Sequence, residues 1–144
     1  MVENRVRQAF QGSYVFHRAI SSPLIVYSGI ARFSPLPGKR IRYFEEGTYR
    51  QGDISQYAYQ ERNIEFYEDH FLIFKSDGRL LHHFVYPSPQ QQKSSLLRFS
   101  HTHVCRDDLY KGELLIHAED EFSLNYEVTG PSKSYEIKTF YKKQ

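Results

Sequence analysis

Arg40-Ile41-Arg42-Tyr43-Phe44-Glu45-Glu46-Gly47-Thr48-Tyr49-Arg50-Gln51-Gly52-Asp53 reads as one strand and the turn that ends it. Ile41, Tyr43, Glu45, Gly47 and Tyr49 alternate with Arg42, Phe44, Glu46 and Thr48. In an extended chain, successive side chains point to opposite faces. The stretch therefore has one largely aromatic face, interrupted by a carboxylate. Gln51-Gly52-Asp53 then supplies hairpin-turn chemistry.

The same period runs outward in both directions. Towards the N-terminus, Leu24 to Phe33 forms a strand, with Gly29 relieving crowding or allowing a bend, and Pro35-Leu36-Pro37-Gly38 is a loop. Tyr14, Phe16, Arg18 and Ile20 share a face of an earlier strand, which Ser21-Ser22-Pro23 closes. Before it, Val2, Val6, Ala9 and Phe10 lie at helical spacing, and Gly12 stops that helix. Towards the C-terminus come Ser55–Arg62, a separate short strand from Asn63, Phe71–Phe74 and Leu80–Tyr86. Ser76-Asp77-Gly78-Arg79 is a hairpin signal. A polar loop from Pro87 to Ser95 precedes Leu96–Arg106, Leu109–Ala118, Phe122–Thr129 and Tyr135–Tyr141.

About ten short strands this closely connected form an antiparallel meander. A meander leaves two unpaired edges unless it closes, so the expected architecture is all-β, a single up-and-down, lipocalin-like barrel with a short N-terminal helix. At 144 residues, with no internal repeat, one domain over residues 1–144 is expected. The 12 Tyr and 11 Phe favour strands and surfaces that are half apolar and half wet.

Bulk charge narrows the partners. The formal charge is only +2, and the basic residues are scattered, so there is no electrostatic footprint for nucleic acid. No run reaches the ~18 apolar residues of a membrane span. A single cysteine excludes an intramolecular disulfide and suits a reducing compartment, and the first ten residues lack the apolar core of a secretory signal. The expectation is a soluble cytoplasmic protein; the oligomeric state is beyond the sequence.

Face parity suggests a site. Arg18 and Glu45 share the apolar face, as do His101, His103 and Cys105 after Leu97 and Phe99. Burying an unpaired charge is costly, so Arg18 and Glu45 need each other, a ligand or interior water. One reading is a cavity whose wall carries Arg18, Glu45 and His103 among tyrosines. The other is a change of face at a bulge, or one structural ion pair near a rim. His101, His103 and Cys105, with His82 or His83, offer zinc-type donors, but without metal-site spacing; hydrogen-bonded histidines in the wall are the simpler reading, and haem has no support. No cofactor or metal is expected. Cys105 with His103 as base is a weak nucleophile motif beside the ordinary role of a small buried thiol. Asp107 and Asp108 read first as turn formers, and Lys133 as a surface lysine near a barrel mouth.

His103-x-Cys105-x-x-Asp108-x-Tyr110-x-Gly112, followed by Val128-x-Gly130-Pro131-x-Lys133-x-Tyr135, resembles the signature of the DUF6314 family. This is a group of small, mostly bacterial domains of unknown function, expected to be lipocalin-like barrels. Phe10-x-Gly12-x-Tyr14 with Arg18, Gly29-x-Ala31-x-Phe33, Tyr43-x-x-Glu46-Gly47, and Asp77-Gly78-Arg79 with His82 extend the likeness over nearly the whole chain. The resemblance implies shared polar positions at Arg18, His82, His103, Asp108, Tyr110 and Lys133. Tyr14, Phe122 and Tyr126 stand where relatives are expected to carry tryptophan, and either Glu45 or Glu46 fills the family's carboxylate position.

Together these give a candidate ligand-binding set of Arg18, Tyr43, Glu45, His82, His103, Asp108, Tyr110 and Lys133. The leading expectation is a cavity for an amphipathic or anionic small molecule, its acid group paired with Arg18 or Lys133. The alternatives are a barrel enzyme using His103 with Asp108 or Glu45 as an acid–base pair, or a protein-interaction module.

Overall fold

The computed structural model describes residues 2–88 and 96–144, with the side chain of Cys105 outside that description. Most of the polar loop expected between Pro87 and Ser95 lies outside the described residues. The order is α1 (Val2–Ala9), β1 (Gly12–Ile20), β2 (Ile25–Leu36), β3 (Arg40–Gln51), β4 (Ile54–Phe66), β5 (His70–Lys75), β6 (Leu80–Val85), β7 (Leu97–Cys105), β8 (Asp108–Ala118), β9 (Glu121–Gly130) and β10 (Lys133–Lys143). Every ladder is antiparallel and joins sequence neighbours, except that β1 also pairs with β10. That pairing rolls the meander into a nearly closed barrel and leaves β6 and β7 as the two ends of the sheet.

Three segments differ from the sequence expectation. β2 runs through Pro35 and Leu36, so the first proline belongs to the strand and only the residues after Leu36 turn. Residues 54–66 form one strand, not two, because β3 offers partners continuously from Gln51↔Ile54 to Arg40↔Glu65. The β7–β8 turn is likewise Arg106-Asp107, with Arg106 at φ 58°, and Asp108 is already paired across the ladder with Cys105.

One end of the barrel is solid. Val6 and Ala9 of α1 are fully buried, and Phe10 stacks on Phe33 at 5.0 Å and meets Phe71 edge-on at 5.8 Å. Phe122 lies 5.3 Å from Phe10 and stacks on Tyr141 at 4.3 Å. The Tyr14 hydroxyl donates to the Ala9 carbonyl, anchoring the helix end to the first strand. Such pairs add to the burial of their large apolar area.

Higher up, β2 and β3 cross at a pinch. Gly29 faces Gly47, and a Cβ on Gly29 would stand 1.9 Å from the Glu46 carbonyl oxygen. Only paired glycines allow this approach. On the far side, β5 and β6 have six residues each, against nine to thirteen in every other strand. The β5 ladder reaches only Arg62 of β4, so residues 54–61 have no strand partner on that side among the described residues. β7 runs on past the short hairpin, from Leu97 to Cys105. A notch therefore opens in the wall above the β5–β6 hairpin, between β4 and β7.

Candidate functional site

Above the aromatic foot lies a cavity of about 410 Å³. Ile20, Ile137, Leu81, Leu114, Leu124 and Tyr49 give it a mainly apolar wall. Of the eight sequence candidates, Arg18, Tyr43, Glu45, His82 and Tyr110 line it. His103, Asp108 and Lys133 do not, and His103 and Lys133 are exposed.

The polar centre is a network joining β10, β1 and β3. Arg18 of β1 donates two parallel bonds to Glu45 of β3, both 2.9 Å. Its Nε donates to Thr139 Oγ1 at 2.8 Å, and a further nitrogen reaches the Tyr141 hydroxyl at 3.3 Å. The Tyr43 hydroxyl donates to Glu45 Oε1 at 2.6 Å and lies 3.0 Å from that of Tyr141. Glu45 is only 1% exposed, and the guanidinium fork and a phenol satisfy its oxygens there. Burial raises the pKa of Tyr43 and Tyr141, which stay neutral donors. Of the two carboxylates that sequence left open, Glu45 faces the interior. Glu46 faces outward, accepting from the Tyr57 hydroxyl at 2.8 Å and lying 3.6 Å from Arg32.

A second group sits across the cavity. Tyr126 of β9 stacks on His82 of β6 at 4.8 Å between ring centres, its hydroxyl 2.6 Å from Nδ1. It reaches there because Gly112 of the intervening strand has no side chain; a Cβ there would lie 2.5 Å from the Tyr126 ring. Burial, then the nearby basic groups His101 and Arg62, pushes the His82 pKa down to about 3. His82 is accordingly a neutral imidazole. Its partner is a phenol, and among the described residues no histidine–carboxylate hydrogen bond lies in the cavity.

The remaining motif residues form a clip at the rim. Lys133 Nζ donates to Asp108 Oδ2 at 2.9 Å. Gly130 makes room, since a Cβ there would meet Asp108 Oδ1 at 2.1 Å. The Asp108, Gly130 and Lys133 positions thus tie the start of β8 to the β9–β10 turn. His101 stands beside the short hairpin, its ring 6.3 Å from His82 and 6.4 Å from His83. No group of three or more His, Cys, Asp or Glu among the described residues could hold a metal ion.

The family profile described as a family of unknown function, DUF6314, matches residues 10–143. The chain belongs to the DUF6314 family. A search of curated proteins returned no match. Among solved structures, this DUF6314 barrel is similar to the S-type phycobiliprotein lyase CPES from Guillardia theta. That likeness has a TM-score of 0.65 at 10% identity, covering 99% of this chain and 92% of that one. It is also similar to a de novo designed fluorescence-activating β-barrel, at TM-score 0.54 and 17% identity over the whole of both chains. A redesigned barrel bound to DFHBI, mFAP1, matches at TM-score 0.53 and 11% identity, covering 96% of this chain and 99% of that one. At these identities the likeness establishes the barrel fold.

Sequence reasoning missed the partners Tyr126, Thr139 and Tyr141, and one charged cavity residue. Arg62 lines the wall, as does Gln60 two positions earlier on the same face of β4. Dividing β4 after Arg62 hid the shared face, which runs through Ala58, Gln60, Arg62 and Ile64.

Proposed function

We propose that this DUF6314 protein binds a small amphipathic molecule in the barrel cavity. The observation that carries the reading is the hollow itself. A barrel of this size can fill its interior with side chains, as this one does around Phe10, yet about 410 Å³ above the foot stays open. The wall combines broad apolar surface with a few fixed polar groups, the usual composition of a ligand pocket. The candidate contacts are Arg18, Tyr43, Glu45, His82 and Tyr110. Arg18 and Glu45 satisfy one another and give the site a rigid polar landmark more than a free charge. The barrels that resemble it include one bound to DFHBI and one designed to activate fluorescence. Those ligands belong to those proteins; the common element is a barrel with room inside.

The test is native mass spectrometry of gently purified protein, paired with titration of neutral and anionic naphthalene dyes. A discrete mass lost on denaturation, or saturable dye uptake at one site per chain, is the expected result. A bare mass together with failure of every dye to bind removes the reading.

A further inference from the structure

Resting on that cavity reading, we infer that the ligand is an organic anion whose acid group is held by Arg62, with Lys75 beside it at the notch between β4 and β7. The charges of the wall point there. Among the described residues, the ionisable groups of the cavity besides its tyrosines are Arg18, Glu45, Arg62 and His82. Arg18 and Glu45 neutralise each other at 2.9 Å. His82 is uncharged and held by Tyr126. What remains is one positive charge, on Arg62.

The bonds that Arg62 makes leave it available. One terminal nitrogen donates to the Glu61 carbonyl at 2.8 Å and the other to Gln60 Oε1 at 2.7 Å. Both acceptors are neutral, and no carboxylate pairs with Arg62 among the described residues. A guanidinium has five N–H donors in a planar fork suited to carboxylate, sulfonate or phosphate oxygens. Gln60 fixes the fork against the wall without neutralising its charge. Lys75 is the ladder partner of Arg62 on β5, on the same face as Phe71 and Ile73. It too forms no ion pair among the described residues; the nearby Asp77 is occupied by Arg79 at 2.7 Å.

Position completes the argument. Arg62 is the last residue of β4 that β5 pairs with, and so stands at the lower corner of the notch. His101 and His103 belong to the part of β7 that borders the opposite side. An amphipathic anion entering there would meet Arg62 and Lys75 on one side and imidazole rings on the other, and slide its apolar body towards Leu81, Leu114 and Leu124. The Arg18–Glu45 pair lies deeper and offers an anion no net charge.

The experiment compares two dyes of one shape, anilinonaphthalene sulfonate and neutral N-phenyl-naphthylamine, by fluorescence titration of the intact protein. The variants are Arg62→Gln, Arg62→Lys and Lys75→Gln. The sulfonate is expected to bind tighter than the neutral dye to the wild type. Arg62→Gln should raise its Kd about tenfold or more, Lys75→Gln about two- to fivefold and Arg62→Lys least, because a buried charge-assisted pair outweighs a rim charge. The neutral dye should bind all four proteins alike, which also reports that the barrel has folded. Equal sulfonate affinity in the wild type and Arg62→Gln, with neutral-dye binding intact, overturns the assignment while the cavity reading survives. Loss of both dyes in Arg62→Gln shifts the decision to Lys75→Gln and Arg62→Lys, and an unchanged sulfonate preference in both of these also overturns it. Failure of both dyes on the wild type removes the cavity reading itself.

Discussion

The two halves of this barrel use the same alternation for opposite ends. At the foot, inward positions hold Phe10, Phe33, Phe66, Phe71 and Phe122, closed by α1 and packed ring on ring. Further up the wall, inward positions of β1, β3 and β4 hold Arg18, Glu45, Gln60 and Arg62, and the interior is hollow. Period-two patterning thus says which side chains turn inward, but only their chemistry says whether they meet. Rings at the foot touch across the axis. Charges above it pair with neighbours along the wall and leave the axis open.

Replacing Phe10 with Ala should produce the largest effect, because it empties the centre of the solid half. A loss of about 3–5 kcal/mol in denaturant unfolding is expected, as for other buried Phe→Ala changes. A loss under about 1 kcal/mol would mean the foot is not the stabilising half. Glu45→Gln should cost somewhat less, about 3 kcal/mol, because it leaves the Arg18 charge without its counterion while Thr139 and Tyr141 still bond it. The double variant Arg18→Met with Glu45→Leu should recover most of that loss, since no charge is then stranded. If it does not recover, the pair does more for the wall than neutralise itself.

Acid separates the halves again, because the phenylalanine rings of the foot do not titrate and the cavity carries His82. Its pKa is about 3 in the folded chain, against about 6.5 for a free imidazole. Below about pH 6.5 the unfolded chain takes up a proton that the folded one refuses. Stability from this group is therefore complete above that pH and is lost progressively down to about pH 3. The loss should be on the order of 2 kcal/mol at pH 5, and His82→Asn should flatten that limb of the unfolding curve. An unchanged limb would show that His82 is protonated in the native state. Lys133→Ala should do least. Its ion pair with Asp108 stands at the wet rim, where such pairs contribute little, so melting temperature and dye affinity should both stay at the wild-type values.

The sequence made the barrel legible, and the reason is local. Gly12, Gly38, Gly52 and Gly78 have positive φ, and each marks a chain reversal or element start that glycine favours. The inward placement of Arg18 and Glu45 was also legible, since parity needs only a strand and an apolar neighbour. Their pairing was one of several options then, because β2 lies between them and parity carries no distance. Arg62 was obscured by the polar run Gln60-Glu61-Arg62-Asn63, which reads as a break; the β3 ladder overrides that local signal. The notch was invisible for a different reason. A gap depends on how far β5 and β6 climb relative to β4 and β7, and that is a property of the ring, not of any one segment. The exposure of His103 follows from the same short hairpin.

The β1–β10 ladder has a kinetic consequence. It joins residues more than a hundred positions apart, as Tyr14↔Lys143 and Arg18↔Thr139, while every other ladder links strands next to each other in the chain. Hairpins form in microseconds, but bringing distant segments together carries the largest loop-closure entropy. Ring closure should therefore set the pace of folding, in the slow range of proteins dominated by distant contacts. Arg18 crosses that join, with Thr139 and Tyr141 on the far strand and Glu45 on its own side. It is the rivet of the hoop, and a chain lacking it should close later before it shows any other defect.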